Sequence, residues 1–275
     1  MKLNRQDKLL LNEKALSVRA ETLKIHGLAQ GTRIASSLSP VEIFVVLYYG
    51  GILSYDPANP MWAGRDRFIV SKGHGSISLY PILSDVGFFD KRELGIVCQK
   101  GAIAGAIPDP HIPGYETING SLGHGLGVAS GVALALRARN RAERVFVLLG
   151  DGEMSEGSVW EAIMFAGHHG LDNLIVILDN NKACMLDFCK NVIDLEPIEK
   201  KIRLFGWTVK RVDGHDIGKL YNALSIFKGQ STGRPKFLVA DTIKGKGVPS
   251  LESDPLSHTR NILPDDIEAA IRGLR

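Results

Sequence analysis

Two short, wholly apolar runs constrain what this chain can fold into: Val-Phe-Val-Leu-Leu at 145–149 and Leu-Ile-Val-Ile-Leu at 174–178. Each has the length of a strand, and neither alternates with polar residues, so both faces of each strand must be covered. A helix-like segment separates them. Such a crossover makes the two strands parallel neighbours in a sheet. Gly150-Asp151-Gly152-Glu153 follows the first run, and Asp179-Asn180-Asn181 follows the second. Asp151 and Asn181 therefore share the carboxyl edge of the sheet, where open α/β folds bind ligands. Their side-chain oxygens and the backbone carbonyl of Ala183 form a hard oxygen set that suits Mg²⁺ or Ca²⁺ and leaves positions for phosphate oxygens. Gly150 and Gly152 let the backbone come close. Gly-Asp-Gly by itself reads as a turn. The 30 positions from Asp151 to Asn181, across a complete strand–helix–strand unit, favour a ligand site.

The rest of the chain fits a single α/β domain over residues 1–275, doubly wound, with a mainly parallel sheet and helices on both faces. With 33 basic and 30 acidic residues the formal charge is +3, too mild and scattered for a nucleic-acid or membrane surface. The longest apolar stretch, 43–53, is too short to span a bilayer and is broken by Gly50-Gly51. Cys98, Cys184 and Cys189 have no metal-ligand spacing and follow a polar N-terminus, so they read as reduced thiols of a cytoplasmic protein.

Along the chain, residues 4–28 form an amphipathic helix, with His26 at its end. Ser39-Pro40-Val41-Glu42 reads as a capped helix start for 43–49, with 33–36 as the loop leading in. A short strand at 66–70 runs into the glycine-flanked turn Lys72-Gly73-His74-Gly75. Residues 91–115 are irregular. Residues 116–127 open a small-residue helix that extends through 138 and suits packing against the sheet or another protomer. His168-His169 ends a helix, since adjacent residues do not share a helix face. Strands follow at 206–214 and 236–241, and Pro264 starts a final helix ending at Gly273. Lys244, between a strand end and paired glycines, is placed for phosphate.

Taken together, Gly150 through Gly157, Trp160-Glu161-Ala162 and Asn181 resemble the thiamine-diphosphate motif of transketolases. Ser71-Lys72-Gly73-His74-Gly75, Gly206-Trp207, Asp213-Gly-His-Asp216 and Thr242-Ile-Lys-Gly-Lys-Gly247 carry the likeness through most of the chain. It implies the thiamine-diphosphate-binding fold, with thiamine diphosphate and Mg²⁺ (or Ca²⁺) held at the sheet edge, and a transferase of ketol groups between sugars or sugar phosphates. The implied cofactor contacts are Ser36, Lys72, His74, Gly120, Leu122, Gly150, Asp151, Gly152, Glu153, Asn181, Lys244 and His258. Asp151, Asn181 and Ala183 would hold the metal. His74 and His258 would act in catalysis, His258 lying 11 positions after Gly247.

The glutamate that activates the cofactor in this family lies on a separate pyrimidine-binding domain. The resemblance thus implies a partner, a C-terminal transketolase-like subunit, in an α2β2 heterotetramer. Rival readings are a 2-oxo-acid decarboxylase or acyloin-forming subunit, and a non-catalytic regulatory subunit; intact Asp151 and Asn181 speak against the last. Three positions depart from the family pattern. Arg33 and Ala106 stand where histidines face the sugar, and Cys184 stands where a glutamine is usual. A guanidinium at 33 favours a carboxylate, sulfonate or phosphate on a modified sugar. Cys184 is expected to affect only packing beyond the metal ligands.

Overall fold

The computed structural model describes residues 3–274; Met1, Lys2 and Arg275, the ends of the expected domain, lie outside it. Five strands form one sheet, all paired in parallel: β1 (Arg67–Val70), β2 (Val145–Gly150), β3 (Leu174–Asn180), β4 (Thr208–Asp213) and β5 (Lys236–Asp241). Their order is β1-β2-β3-β5-β4, with the two apolar runs side by side in the middle, in register Val145 to Leu174.

The helices are α1 (Arg5–Leu28), α2 (Ile34–Leu38), α3 (Val41–Tyr48), α4 (Leu79–Asp85), α5 (Gly125–Ala138), α6 (Gly157–His168), α7 (Cys189–Val192), α8 (Ile198–Leu204), α9 (Ile217–Gly229), α10 (Pro249–Glu252) and α11 (Pro264–Gly273). Side chains alternate across a strand, so each central strand feeds two cores. Phe146, Leu148, Ile175, Ile177 and Leu238 pack with α1, α3, α4 and α9. Val145, Val147, Leu149, Leu174, Val176 and Val239 pack with α5, α6 and α8. A third cluster joins α1 and α2 to α10 and α11 through Leu23, Ile34, Leu251 and Ile267. The fold is thus doubly wound, and wholly parallel among the described residues. None of its described helices is long and apolar enough to cross a membrane.

Several local expectations need correcting. Residues 34–38 are helical, so Ser36 lies on α2 and not in a loop. Ser39 does not cap α3; its hydroxyl donates to Asp179 Oδ2 at 2.6 Å. Glu42 does not reach back to the helix start either. It pairs with Arg19 Nη2 at 2.7 Å and with His215 Nδ1 at 3.0 Å, because a buried carboxylate gains more from a guanidinium and a ring N–H than from a cap. The small-residue helix starts only at Gly125, and residues before it are irregular. His26 does end α1, yet it is fully buried, with Nδ1 2.8 Å from Thr32 Oγ1 and Nε2 accepting from Ile262 N at 3.2 Å. The three cysteines are free thiols.

Candidate active site

The carboxyl ends of β1, β2, β3 and β5 converge on one edge, and α2 closes it from the N-terminal side. Its floor is a buried charge cluster. Asp179, the penultimate residue of β3, has no exposed surface. Its Oδ2 accepts from Lys72 Nζ at 2.5 Å and Ser39 Oγ at 2.6 Å, and Oδ1 accepts from Thr242 Oγ1. Burial alone would raise the Asp179 pKa, but the Lys72 ammonium and the hydroxyls outweigh it and hold the carboxyl below its ordinary range. Lys72 completes its shell on the carbonyl of Ser36 at 3.1 Å. Two of its three donors are therefore spent inside the protein, beneath the site.

Above this floor lie the expected metal ligands. Asp151 Oδ1 accepts from Gly152 N at 2.7 Å and Oδ2 from Lys182 N, which aims the carboxylate across the sheet edge with further lone pairs unused. Burial and the neighbouring Asp179 push its pKa up to about 6. Asn181 is oriented by its amide, which donates at 3.4 Å to both Ser39 Oγ and Asp179 Oδ2. Its Oδ1 accepts from Ala183 N at 3.2 Å. The carbonyl of Ala183 accepts from Lys244 Nζ at 2.8 Å, and that of Cys184 from the same ammonium at 3.1 Å. Cys184 meets Lys244 through its backbone carbonyl, which any side chain there would supply, while its own Sγ lies 3.1 Å from Asp187 O. Asp151, Asn181, Ala183 and Lys244 line one cleft of about 790 Å³ that runs toward Arg211 and Glu252.

A second group lies beside the first. His258 Nδ1 is 3.4 Å from Ser36 Oγ and 3.3 Å from Lys244 Nζ, and its ring centroid is 5.0 Å from that of His74. Burial lowers the His74 pKa to about 2, helped by Lys72, His258, Lys244 and Arg33. His258 falls to about 4 through burial and then Lys244, Arg33 and Lys72. Lys244 falls to about 8, first through burial and then through Lys72. The cations named in these shifts make one positive locus, and both imidazoles are neutral donors or acceptors at pH 7. Arg33 is exposed at its mouth, near enough to bear on both histidines.

Both carboxylate oxygens of Glu153 are engaged by protein donors. Its Oε1 accepts from Ser71 Oγ at 2.5 Å and Gly123 N at 2.9 Å, and its Oε2 from Gly150 N at 3.1 Å. It ties the ends of β1 and β2 to the 119–123 loop that carries Gly120 and Leu122. That loop crosses so close to the backbone before His74 that a Cβ on Gly73 would lie 2.3 Å from the carbonyl oxygen of Asn119. Ala106 is half-buried, and His111 is exposed with Asp109, away from the cluster.

The residues that reading the sequence did not single out are those that hold the loop bearing Lys244. Arg19 Nε donates to Lys246 O at 3.1 Å, Ile243 N donates to His215 Nε2 at 2.9 Å, and Gly245 N donates to Ala35 O at 2.9 Å. Glu42 joins Arg19 to His215, and Asp179 anchors Thr242. The sequence signals were an acid near the end of an otherwise apolar strand and the Asp213-Gly-His-Asp216 segment that carries His215.

Residues 17–274 match the family described as "Transketolase, thiamine diphosphate binding domain". The chain belongs to the transketolase family. It is 35% identical over 265 residues to a 6-deoxy-6-sulfo-D-fructose transketolase subunit from a Clostridium species, covering 96% of each chain. It is 34% identical to an apulose-4-phosphate transketolase subunit of Actinobacillus succinogenes, again covering 96% of each. Transketolase from Campylobacter jejuni superposes with a TM-score of 0.85 at 26% identity, over 98% of this chain and 43% of that one. The transketolase fold seen here is thus the thiamine-diphosphate-binding α/β fold. Among the described residues no three His, Cys, Asp or Glu side chains form a metal cluster. The candidate metal set uses one carboxylate, one amide and one carbonyl instead.

Proposed function

We infer that this chain is the diphosphate-binding subunit of a two-chain transketolase that moves a two-carbon ketol unit between anionic sugars in the cytoplasm. The observation that carries the reading is the adjacency of two chemistries at one sheet edge: oxygen ligands for Mg²⁺ (Asp151, Asn181, Ala183) beside a diphosphate locus in which Lys244 supplies charge, His74 and His258 neutral hydrogen-bonding groups, and Lys72 lies beneath. The donor set fits the cofactor, since hard oxygens suit Mg²⁺ or Ca²⁺ and the neighbouring cations suit phosphate oxygens. When bound, thiamine diphosphate supplies the electron sink for the ketol fragment. The chain's own part is to bind and orient. Ser36, Gly120, Leu122, Gly150 and Gly152 would line the cofactor, Glu153 fixes the loops that carry them, and His74 and His258, neutral at pH 7, would offer hydrogen bonds to oxygens of the transferring group.

Two further features support a partner chain and an α2β2 assembly. Full-length transketolases, such as the human one, are matched over only 41% of their length, whereas both subunit-type relatives match end to end. The outer face of α5 and α6 leaves Val128, Met164 and Phe165 exposed at 46%, 55% and 39%, beside glycines 127 and 131. A helix pair with small and apolar residues on its solvent side suits a packed interface.

The two subunit-type relatives are named for a sulfonated and a phosphorylated sugar, both anionic. Arg33, exposed beside the positive locus, is the group that would grip such an end, and Ala106, where the resemblance implies a sugar-facing histidine, would make room and remove a donor. Steady-state kinetics of the chain together with its C-terminal-type partner test the reading. Ketol transfer should require both chains, and Arg33→Ala should lower kcat/KM for a sulfonated or phosphorylated donor by about tenfold or more, the loss of a charge-assisted contact. Full activity of the chain alone, or unchanged kcat/KM in Arg33→Ala, refutes the corresponding half.

A further inference from the structure

We propose that Lys244 is a built-in competitor for the metal: its ammonium and a divalent cation contend for the carbonyl oxygen of Ala183, and a diphosphate relieves the contest by drawing the ammonium toward itself. The proposal rests on the metal and diphosphate assignments above. Lys244 is buried, only 5% exposed, and among the described residues no carboxylate lies within ion-pair distance of it. Its charge is met by backbone oxygens, Ala183 O at 2.8 Å and Cys184 O at 3.1 Å, with His258 Nδ1 at 3.3 Å. An ammonium and a divalent cation on one carbonyl repel each other strongly in a buried site.

Which of the two gives way is decided by stiffness. The carbonyl is fixed: residues 182–189 form a small hairpin with Ala183 paired to Phe188, Cys184 N donating to Asp187 O at 3.0 Å and Cys189 N to Lys182 O at 2.9 Å. Asn181 and Asp151 brace its start through Ala183 N and Lys182 N. The backbone at Lys244 is held as firmly from Ala35, Arg19 and His215. The four-carbon lysine stem is the soft element, and swinging its ammonium toward an incoming phosphate leaves the Ala183 oxygen to the metal. Metal and diphosphate therefore help each other bind, beyond their direct attraction, because one ligand removes the competitor of the other.

The experiment is Mn²⁺ titration of the chain without any phosphate, followed by the electron paramagnetic resonance of free Mn²⁺. Three proteins are compared: the natural chain, Lys244→Met, and Asp151→Ala, with circular dichroism confirming that each is folded. Lys244→Gln serves as a second neutral variant should Lys244→Met fold poorly. Removing a competitor predicts tighter Mn²⁺ binding in Lys244→Met, by about tenfold within the usual range of coupling between sites. Equal or weaker Mn²⁺ binding in the folded neutral variant overturns the competition. Asp151→Ala should lose Mn²⁺ binding altogether. Retained binding there overturns the metal site itself, an outcome separate from failure of the competition.

Discussion

Replacing Lys72 by methionine separates a buried counterion from a cofactor ligand. The side chain is 2% exposed and faces Asp179, which is fully buried, across 2.5 Å. Methionine keeps most of the volume but leaves the carboxylate with Ser39, Thr242 and the distant Asn181 amide. Stranding one partner of a buried ion pair costs about 3–5 kcal/mol, which for a domain of this size lowers Tm by roughly 6–20 °C.

The loss has a definite pH signature. In the natural chain Asp179 is held below its ordinary pKa, so its contribution is present above the unfolded value and is lost as pH falls through the folded one. In Lys72→Met burial dominates and the folded pKa rises above the unfolded value, so the destabilisation is full at neutral pH and shrinks as Asp179 protonates. Urea unfolding followed by circular dichroism between pH 4 and pH 8 measures this, and Lys72→Met/Asp179→Asn should recover most of the loss. Stability within about 0.5 kcal/mol of the natural chain, with cofactor affinity lost, would refute the reasoning and make Lys72 a direct ligand.

Other consequences can be checked in parallel. His26 is buried with its pKa lowered to about 4, so the neutral ring stabilises the fold above the unfolded value of 6.5 and that contribution drains away as pH falls toward 4. The difference of about 2.5 pKa units corresponds to about 3 kcal/mol; identical stability–pH slopes for the natural chain and His26→Gln would exclude it. Gly245 has φ +75°, and a Cβ there would lie 2.5 Å from Leu251 Cβ, so Gly245→Ala should cost more than about 2 kcal/mol by chemical denaturation and weaken diphosphate binding by displacing Lys244. Asp151→Ala removes a ligand from the sheet edge and should abolish Mg²⁺-dependent thiamine diphosphate binding in calorimetric titration while leaving Tm within a few degrees.

The central sheet was legible because its signal is local. Two apolar runs joined by a helical crossover leave one arrangement, and Asp151 and Asn181 fall on its edge by counting. The failures share a cause. Ser39 and Glu42 stand where a helix start would use them, yet both serve partners 140 and 173 positions away in sequence, Asp179 and His215. A cap offers one hydrogen bond at a wet helix end, whereas a buried carboxylate left unmet costs several times more, so the long-range partner wins. Ser36 was misplaced in a loop for a related reason: α2 is a five-residue turn made entirely of buried residues, stabilised by packing and not by any periodicity that so short a segment can display. The duty of Glu153 as a loop tie was equally out of sight, because its partners come from three separate segments.

Buried charge in this domain is distributed in a way that bears on what the site does. The Arg19–Glu42–His215 network has its two charged members buried and lies behind the loop that bears Lys244; burial pulls the Glu42 pKa up, but Arg19 and His215 overcome it and hold it at about 2. Hydrophobic residues could replace such a network at little cost in stability. What hydrophobic residues could not supply is direction: Arg19 and His215 fix Lys246 O and Ile243 N, the two peptide groups flanking Lys244. The same holds for Asp179, which gathers Ser39, Lys72, Asn181 and Thr242 from four segments onto one carboxylate. Both networks spend stability on pinning backbone, and between them they leave one long cationic side chain, Lys244, on a soft stem over fixed carbonyls. A site that must accept a divalent cation and a polyanion at adjacent positions needs that combination. A rigid cation would repel the metal, and a rigid carbonyl cage without the cation would hold the metal but leave the phosphate charge unmet.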